Sequence, residues 1–320
     1  MHLTRSHYRI LMSMVAALGM MGFLTVVAYV LDESLDATNQ HADGKTRNAQ
    51  TEVKIDNVQR PPVMKSSDLK ERLSVTPKKP APSVEIEMKS GDLKHIDREK
   101  ALVLGHTRKD KGFLTIGIPA SHAGGEDNLE QTLKSLIQNT EEAERPRVTI
   151  VVFAHDFDQS ARQAVRYVVG NFTEPVQSGM LQLIEAPLSF YRTPEAQKNG
   201  QVKENLDNAF LISYSENLSE YYLQLDDSVK TVPGYVRSIR DFINGQGKKY
   251  WVTLEFSSKP FTGKLIRSGG RDQGQLTHLL VEFGEKLSVG KLYESFKKFN
   301  AQKQPIMHRP PLFDNLGNAP

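Results

Sequence analysis

From Phe113 onward, short apolar runs rich in β-branched residues alternate with stretches whose apolar residues recur at helical spacing. That alternation restricts the possible folds more than any other feature of the chain. Phe113–Ile118 (closed by Pro119), Val148–Phe153, Met180–Glu185, Tyr221–Leu225 and Tyr250–Phe256 read as strands. Asn128–Ile137 sets Leu129, Leu133, Leu136 and Ile137 at helical spacing, and Asn205–Tyr214 places Leu206, Phe210, Leu211 and Tyr214 on one face. Ala161–Val169 and Val232–Phe242 read as two more helices. Strands separated by helices predict an α/β fold, a mostly parallel sheet covered by helices on both faces. Ligands of such sheets sit beyond the carboxyl ends of the strands. The connections after Ile118, Phe153, Glu185 and Leu225 are therefore the places to look for chemistry.

The upstream part has a different character. Residues 32–112 contain no Phe, Tyr or Trp, whereas 22 of the chain's 25 aromatic residues lie from 113 to 320. A Lys-, Asp-, Glu-, Ser- and Pro-rich segment cannot bury enough apolar surface to offset its ordering entropy, so 32–112 reads as an extended, largely disordered stem. Before it, Ile10–Leu31 runs 22 residues without a charge, long enough as a helix to cross a bilayer. Arg5 and Arg9 precede this run and Asp32, Glu33 and Asp36 follow it, which keeps residues 1–9 cytoplasmic and puts 32–320 on the far side. Its length exceeds the apolar region of a cleaved signal peptide. The 41 basic and 38 acidic residues nearly balance, so no basic field points to nucleic acid. With no cysteine, disulfides and thiol chemistry are excluded.

Asp226 and Asp227 follow the apolar strand Tyr221–Leu225 at the expected ligand side. Adjacent like charges are unfavourable unless a cation neutralises them, and a divalent cation carried by a diphosphate does so through oxygen ligands. The same pair also suits a turn that caps the helix near Val232. The motif by itself leaves both readings open. Asp156 and Asp158 follow the second strand; Asp158 suits a helix N-cap, while Asp156 is placed to bond a base or ribose. Glu255 lies inside an apolar strand, where an unpaired charge is costly, and so is a candidate site residue. Residues 257–275, with Gly263, Gly269, Gly270 and Gly274 among Lys264 and Arg267, read as a mobile loop, for which simple surface flexibility is the more economical account and closure over a ligand the functional one. Asn171 and Asn217 head tripeptides of the N-glycosylation pattern.

Nine short motifs then occur in one order: LTIGIP (114–119), TLKSLI (132–137), TIVVF (149–153), SGMLQLIEAP (178–187), NLDNAFL (205–211), YYLQLDD (221–227), LEFS (254–257), GKL (263–265) and RPPLF (309–313). In order and spacing they resemble the N-acetylglucosaminyltransferase IV family, over about residues 113–317. The resemblance implies a GT-A-like, Rossmann-type domain at 113–320 and UDP-N-acetylglucosamine as donor. It further implies a divalent cation, expected to be Mn²⁺, and inverting transfer to a mannose of N-linked glycans. Together with the anchor and stem it implies a single-pass type II protein of the Golgi membrane with a lumenal domain. Carried over by position, it implies donor contacts at Pro119, Ala120, Ser121, Lys203 and Asn205, metal ligands at Asp226 and Asp227, and a catalytic carboxylate at Glu294; the residue reading adds Asp156 and Lys264 as donor contacts and Glu255 as the second catalytic candidate. Three positions depart from the family pattern: Ser228 replaces the last acid of the metal motif, Asn315 stands where a His is usual, and Glu294 replaces an Asp. These departures also admit an inactive homologue that binds a partner in the Golgi. The resemblance ends near residue 317, so no lectin-like C-terminal domain is expected.

Overall fold

A computed structural model of the chain describes Leu93 and residues 96–122, 126–191 and 193–316. The expected cytoplasmic tail, the membrane span at 10–31 and most of the stem lie outside the described residues. Among those described, no helix is long and apolar enough to cross a membrane.

Strand β2 (Gly112–Ala120) is the axis of the fold. It pairs in parallel with β3 (Val148–Ala154) on one side and with β5 (Ser219–Gln224) on the other, and β3 pairs in parallel with β4 (Leu181–Ile184). Every residue of β3 is buried, as expected for a β-branched strand covered on both faces. Its side chains alternate between two layers. Val148, Ile150, Val152 and Ala154 pack with Leu129, Leu133 and Leu136 of α2 (Glu126–Asn139) and with Val165, Val168 and Val169 of α3 (Gln159–Gly170). Val151 and Phe153 face Leu206, Phe210 and Leu211, on a helix that runs Gly200–Tyr214.

The sheet departs from the expected pattern at its edges. Its order is β1-β4-β3-β2-β5-β8-β7, and only the central four strands are parallel. β1 (Leu102–Leu104), β7 (Thr253–Glu255) and β8 (Lys264–Arg267) all pair antiparallel. Half of the six pairings are thus antiparallel; of these only β7 and β8 are joined by a direct connection, while β1–β4 and β5–β8 pair segments distant in the chain. The folded part also begins before Phe113: α1 (Arg98–Ala101) leads into β1, which pairs with β4. Two short elements carrying no aromatic residue gave no compositional signal.

Residues 257–275 are not a free loop. They contain β8, in which Leu265 and Ile266 are fully buried, and the start of α8 (Arg271–Phe283). Lys264 and Arg267 at its ends hide the apolar centre from a periodicity reading. The remaining helices in chain order are α4 (Thr173–Gln177), α5 (Pro194–Lys198), α6 (Gly200–Tyr214), α7 (Tyr235–Gly245) and α9 (Val289–Phe299). α6 is buried nearly all round, Asn205, Asp207 and Asn208 included, since it packs on β2 on one side and α8 on the other. A two-stranded ribbon of β6 (Val229–Thr231) and β9 (Phe313–Asn315) completes the fold.

Gly117, at the centre of β2, is where the buried Tyr222 ring crosses the sheet. A Cβ there would meet the Cε2 and Cζ atoms of that ring at 2.8 Å, while the Tyr222 hydroxyl is held by Gln224 Oε1. Gly117→Ala is expected to cost about 1–3 kcal/mol by overpacking. Urea unfolding of the variant beside the parent chain measures it; equal midpoints would contradict the packing described.

Candidate functional site

The strand order reverses at β2: β3 and β4 are laid to one side, then β5 to the other. The crossovers diverge at that point and leave a crevice beyond the carboxyl ends of β2 and β5. A cleft of about 400 Å³ occupies it. Pro119 and Ser121 line it from the end of β2, His155 from the end of β3, and Gln224, Asp226, Asp227 and Ser228 from the end of β5. One face of α6 adds Lys203, Glu204, Asp207 and Asn208, and Phe261 and Val289 complete the lining.

The acidic pair therefore stands in the cleft. It caps no helix, since α7 has Gly234 at its N-cap with no side-chain bond. The turn that carries the pair is pinned at both ends. Leu225 N–H extends the β5 ladder to Gly117 O (2.9 Å). The Thr132 hydroxyl donates to Asp227 O (2.9 Å) and accepts from Val229 N–H (3.0 Å), tying the turn to α2. Asp226 Oδ2 meets the Lys259 ammonium at 3.0 Å. No lysine or arginine pairs with Asp227 among the described residues. Desolvation raises the Asp227 carboxyl above its ordinary range against the pull of the Ser121 backbone N–H, and Asp226 beside it pushes the same way. Glu204, exposed on the cleft wall, is likewise raised, first by desolvation and then by Asp207 and Asp226. Sequence reasoning missed Glu204 because helix α6 begins five residues before its apolar stripe, at the Asn199 N-cap that binds Gln201 N–H and Val202 N–H.

The residues implied by the resemblance divide sharply. Pro119, Ser121, Lys203, Asp226 and Asp227 converge on the cleft. Ala120 is fully buried, and Asp156 lies beside the cleft, its Oδ2 accepting from His122 N–H (2.8 Å). Lys203 reaches the cleft with its ammonium already committed to His155 Nδ1 (3.0 Å), His155 O (2.6 Å) and Asp207 Oδ2 (2.6 Å). Tyr191 donates to the other oxygen of Asp207. Asn205 faces away, its amide bound to Gln201 O, Gly284 O and Leu287 O, so it ties α6 to the α8–α9 connection.

Glu255 and Lys264 belong to a separate buried ion cluster outside the cleft lining. Glu255, 4 % exposed, takes Lys264 Nζ on Oε2 (2.7 Å) and Lys297 Nζ on Oε1 (2.9 Å). Burial alone would raise the Glu255 carboxyl; the two ammonium hydrogen bonds outweigh it and hold the group below its usual range. Burial wins at Lys264, which has the single carboxylate and shifts down. It loses at Lys297, which has both Glu294 and Glu255 and shifts up. A carboxylate so tied is a poor base, and its lysine is not free for a diphosphate. Glu294 is 56 % exposed, pairs with Lys297 (2.7 Å) and is not among the residues that line the cleft. Arg267 lies at the far end of β8, stacked on Trp251 at 3.6 Å.

Asp226, Asp227 and Ser228 line the cleft from the end of β5. Among the described residues no three acidic or histidine side chains converge to hold a metal by protein alone. Two carboxylates at an open cleft, one of them uncompensated, do fit a hard cation that brings phosphate oxygens with it. Ser228 and Asn315, apart in sequence, come together here: the β6–β9 ribbon pairs Val229 with Asn315, and Leu316 N–H donates to Ser228 O (3.1 Å).

The family model described as the MGAT4 conserved region matches residues 81–319. Alpha-1,3-mannosyl-glycoprotein 4-beta-N-acetylglucosaminyltransferase C of Sus scrofa is 32% identical over 218 residues, covering 65% of this chain and 45% of that protein. Alpha-1,6-mannosyl-glycoprotein 4-beta-N-acetylglucosaminyltransferase of Gallus gallus is 31% identical over 227 residues, 68% of this chain and 48% of that protein. The chain spans about half the length of the curated relatives it matches. Among solved structures, the mannosyltransferase PcManGT of Pyrobaculum calidifontis superposes with a TM-score of 0.38 at 11% identity, over 67% of this chain and 59% of that one, too distant to bear on function.

Two stability measurements separate the clusters. Glu255→Ala strands the buried Lys264 ammonium and leaves Lys297 with Glu294 alone, and is expected to cost about 3–5 kcal/mol. The parent's Glu255 contribution is present at neutral pH and is lost as pH falls through its depressed folded-state pKa. Asp227→Asn works in the opposite sense, because a raised carboxyl pKa means that ionisation destabilises the fold. It is expected to add roughly 1 kcal/mol at neutral pH, a gain that disappears as pH drops below the ordinary aspartate value near 3.9. Denaturant titrations from pH 3 to 8 read both; a pH-independent difference at Asp227 would contradict its desolvation.

Proposed function

On the premise that this chain belongs to the MGAT4 conserved-region family, we propose that it is an inverting glycosyltransferase with a GT-A-like domain, moving N-acetylglucosamine from UDP-N-acetylglucosamine to a mannose of N-linked glycans. We place it at the Golgi membrane through residues 10–31, with the folded part lumenal. The observation that carries the reading is the acidic pair Asp226–Asp227 in a cleft at the reversal of strand order, where α/β sheets bind nucleotides. Pro119 and Ser121 form the adjoining wall for the nucleoside.

Asp226 and Asp227 would hold a divalent cation, Mn²⁺ by preference, whose charge stabilises a departing diphosphate. The chain's own contribution is positioning and proton transfer. Asp207 is tied to Lys203 and Tyr191, and Asp226 to Lys259. Glu204 carries no ion pair among the described residues, is exposed on the cleft wall, and has a carboxyl raised toward the working pH. It replaces Glu294 and Glu255 as the group that takes the proton of the acceptor hydroxyl.

A second reading, a homologue that binds but does not transfer, is favoured by the Ser228 hydroxyl at the third acidic position and by Lys259 on Asp226. A neutral hydroxyl is a weaker ligand than a carboxylate. The purified 320-residue chain, supplied with UDP-N-acetylglucosamine, Mn²⁺ and a mannose-terminated N-glycan, decides between them. Transfer is expected, and Glu204→Gln is expected to reduce it by about 10²–10⁴ while UDP still binds. UDP binding without turnover selects the second reading. Absence of UDP affinity with and without Mn²⁺ overturns the first.

A further inference from the structure

Lys203, Lys264 and Lys297 cannot serve an anionic ligand without breaking what they already hold. The Lys203 ammonium has three acceptors, Lys264 is buried on Glu255 and Ser257 O, and Lys297 is shared between Glu255 and Glu294. Lys259 differs. Its ammonium has one side-chain partner, Asp226; the two side chains are 29 % and 43 % exposed, and Asp226 lines the cleft. A pair so exposed contributes little to folding and exchanges readily.

The lysine is nonetheless held in place. It sits in the connection between β7 and β8, whose base is locked: Gly263 N–H donates to Gln224 O (2.7 Å) at the end of β5, and Phe256 N–H donates to Gly263 O (2.8 Å). Gly263 has φ +71°, and a Cβ there would lie 2.6 Å from that of Ser257, so only glycine closes this turn. Beyond the lock, Phe261 lines the cleft with its ring edge-on to Tyr293, centroids 5.6 Å apart. The turn thus brings one cation and one aromatic ring to the mouth of the crevice.

We infer that Lys259 is the diphosphate ligand of this cleft: when a nucleoside diphosphate enters, its ammonium exchanges Asp226 for phosphate oxygens and releases Asp226. This rests on the nucleotide-sugar reading of the cleft and assigns it a residue. The exchange keeps the ammonium paired throughout, since it passes from one anion to another, and leaves the Asp226 carboxylate without it. The freed carboxylate becomes available to a cation or a ribose hydroxyl. Before a nucleotide enters, Lys259 and a cation compete for the same carboxylate.

Calorimetric titration of the full chain tests this with UDP in EDTA and, separately, with Mn²⁺ alone. Lys259→Met is expected to weaken UDP roughly tenfold or more in EDTA, the equivalent of one charge-assisted hydrogen bond. The same variant should bind Mn²⁺ more tightly than the parent, its competitor being gone, and Lys259→Arg should retain UDP affinity. Melting curves identify a variant that fails to fold. Asp226→Asn then gives an independent reading, because releasing the ammonium should leave UDP affinity in EDTA equal to or above that of the parent. Undiminished UDP binding by folded Lys259→Met, or a loss of EDTA-phase binding in Asp226→Asn, overturns the inference while leaving the cleft a nucleotide site. A parent chain that binds no UDP under any condition overturns both.

Discussion

The parallel pairing of β2 with β3 on one side and β5 on the other is the constraint from which the site follows. Both neighbours run in the same direction as β2, so the carboxyl ends of three strands open on one edge of the sheet. Because the crossovers leave β2 in opposite directions, no helix fills the gap above it. The chain emerging from β5 must turn there, and the turn is fixed by one hydroxyl: Thr132 both donates to Asp227 O and accepts from Val229 N–H. The backbone of the acidic turn is therefore tied to a helix on the other face of the sheet.

Electrostatics separate two kinds of charge in the same small domain. Glu255, Lys264 and Lys297 are buried with each other, and every carboxylate oxygen of Glu255 is used. With Glu294 as the second acid on Lys297 the cluster is neutralised and costs much to break, which marks it as structural. In the cleft the compensation is incomplete. Asp207 has Lys203 and Asp226 has Lys259, while Asp227 and Glu204 stand without ion pairs among the described residues, and both are raised. Carboxylates without ion pairs beside an open crevice are the arrangement expected where a ligand completes the charge balance.

The departures from the family pattern acquire a location from the fold. Ser228 and Asn315 are 87 positions apart in the chain yet adjacent through the β6–β9 ribbon. Of the two, Ser228 lines the cleft, and the ribbon sets Asn315 behind it.

The longer strands and helices from 113 to 245 were legible because β-branched runs such as 148–153 and the Leu129–Leu133–Leu136 stripe carry their burial in their spacing; the short α4, α5 and β6 were not. Asp226–Asp227 was legible as a pair at a strand end. The edge strands were not: β8 begins with Lys264 and ends with Arg267, and a lysine inside a strand is explained only by Glu255 across the sheet. Nor could spacing show that Lys203 is spent on His155 and Asp207, that Asn205 faces α8 rather than the cleft, or that Lys259 reaches Asp226 from 33 residues away. Local periodicity determines which residues are buried and in which element, since that is a property of neighbours along the chain. Which charged groups meet, and which are left without a partner, depends on strand order and on turns between distant segments. Only the tertiary structure decides that.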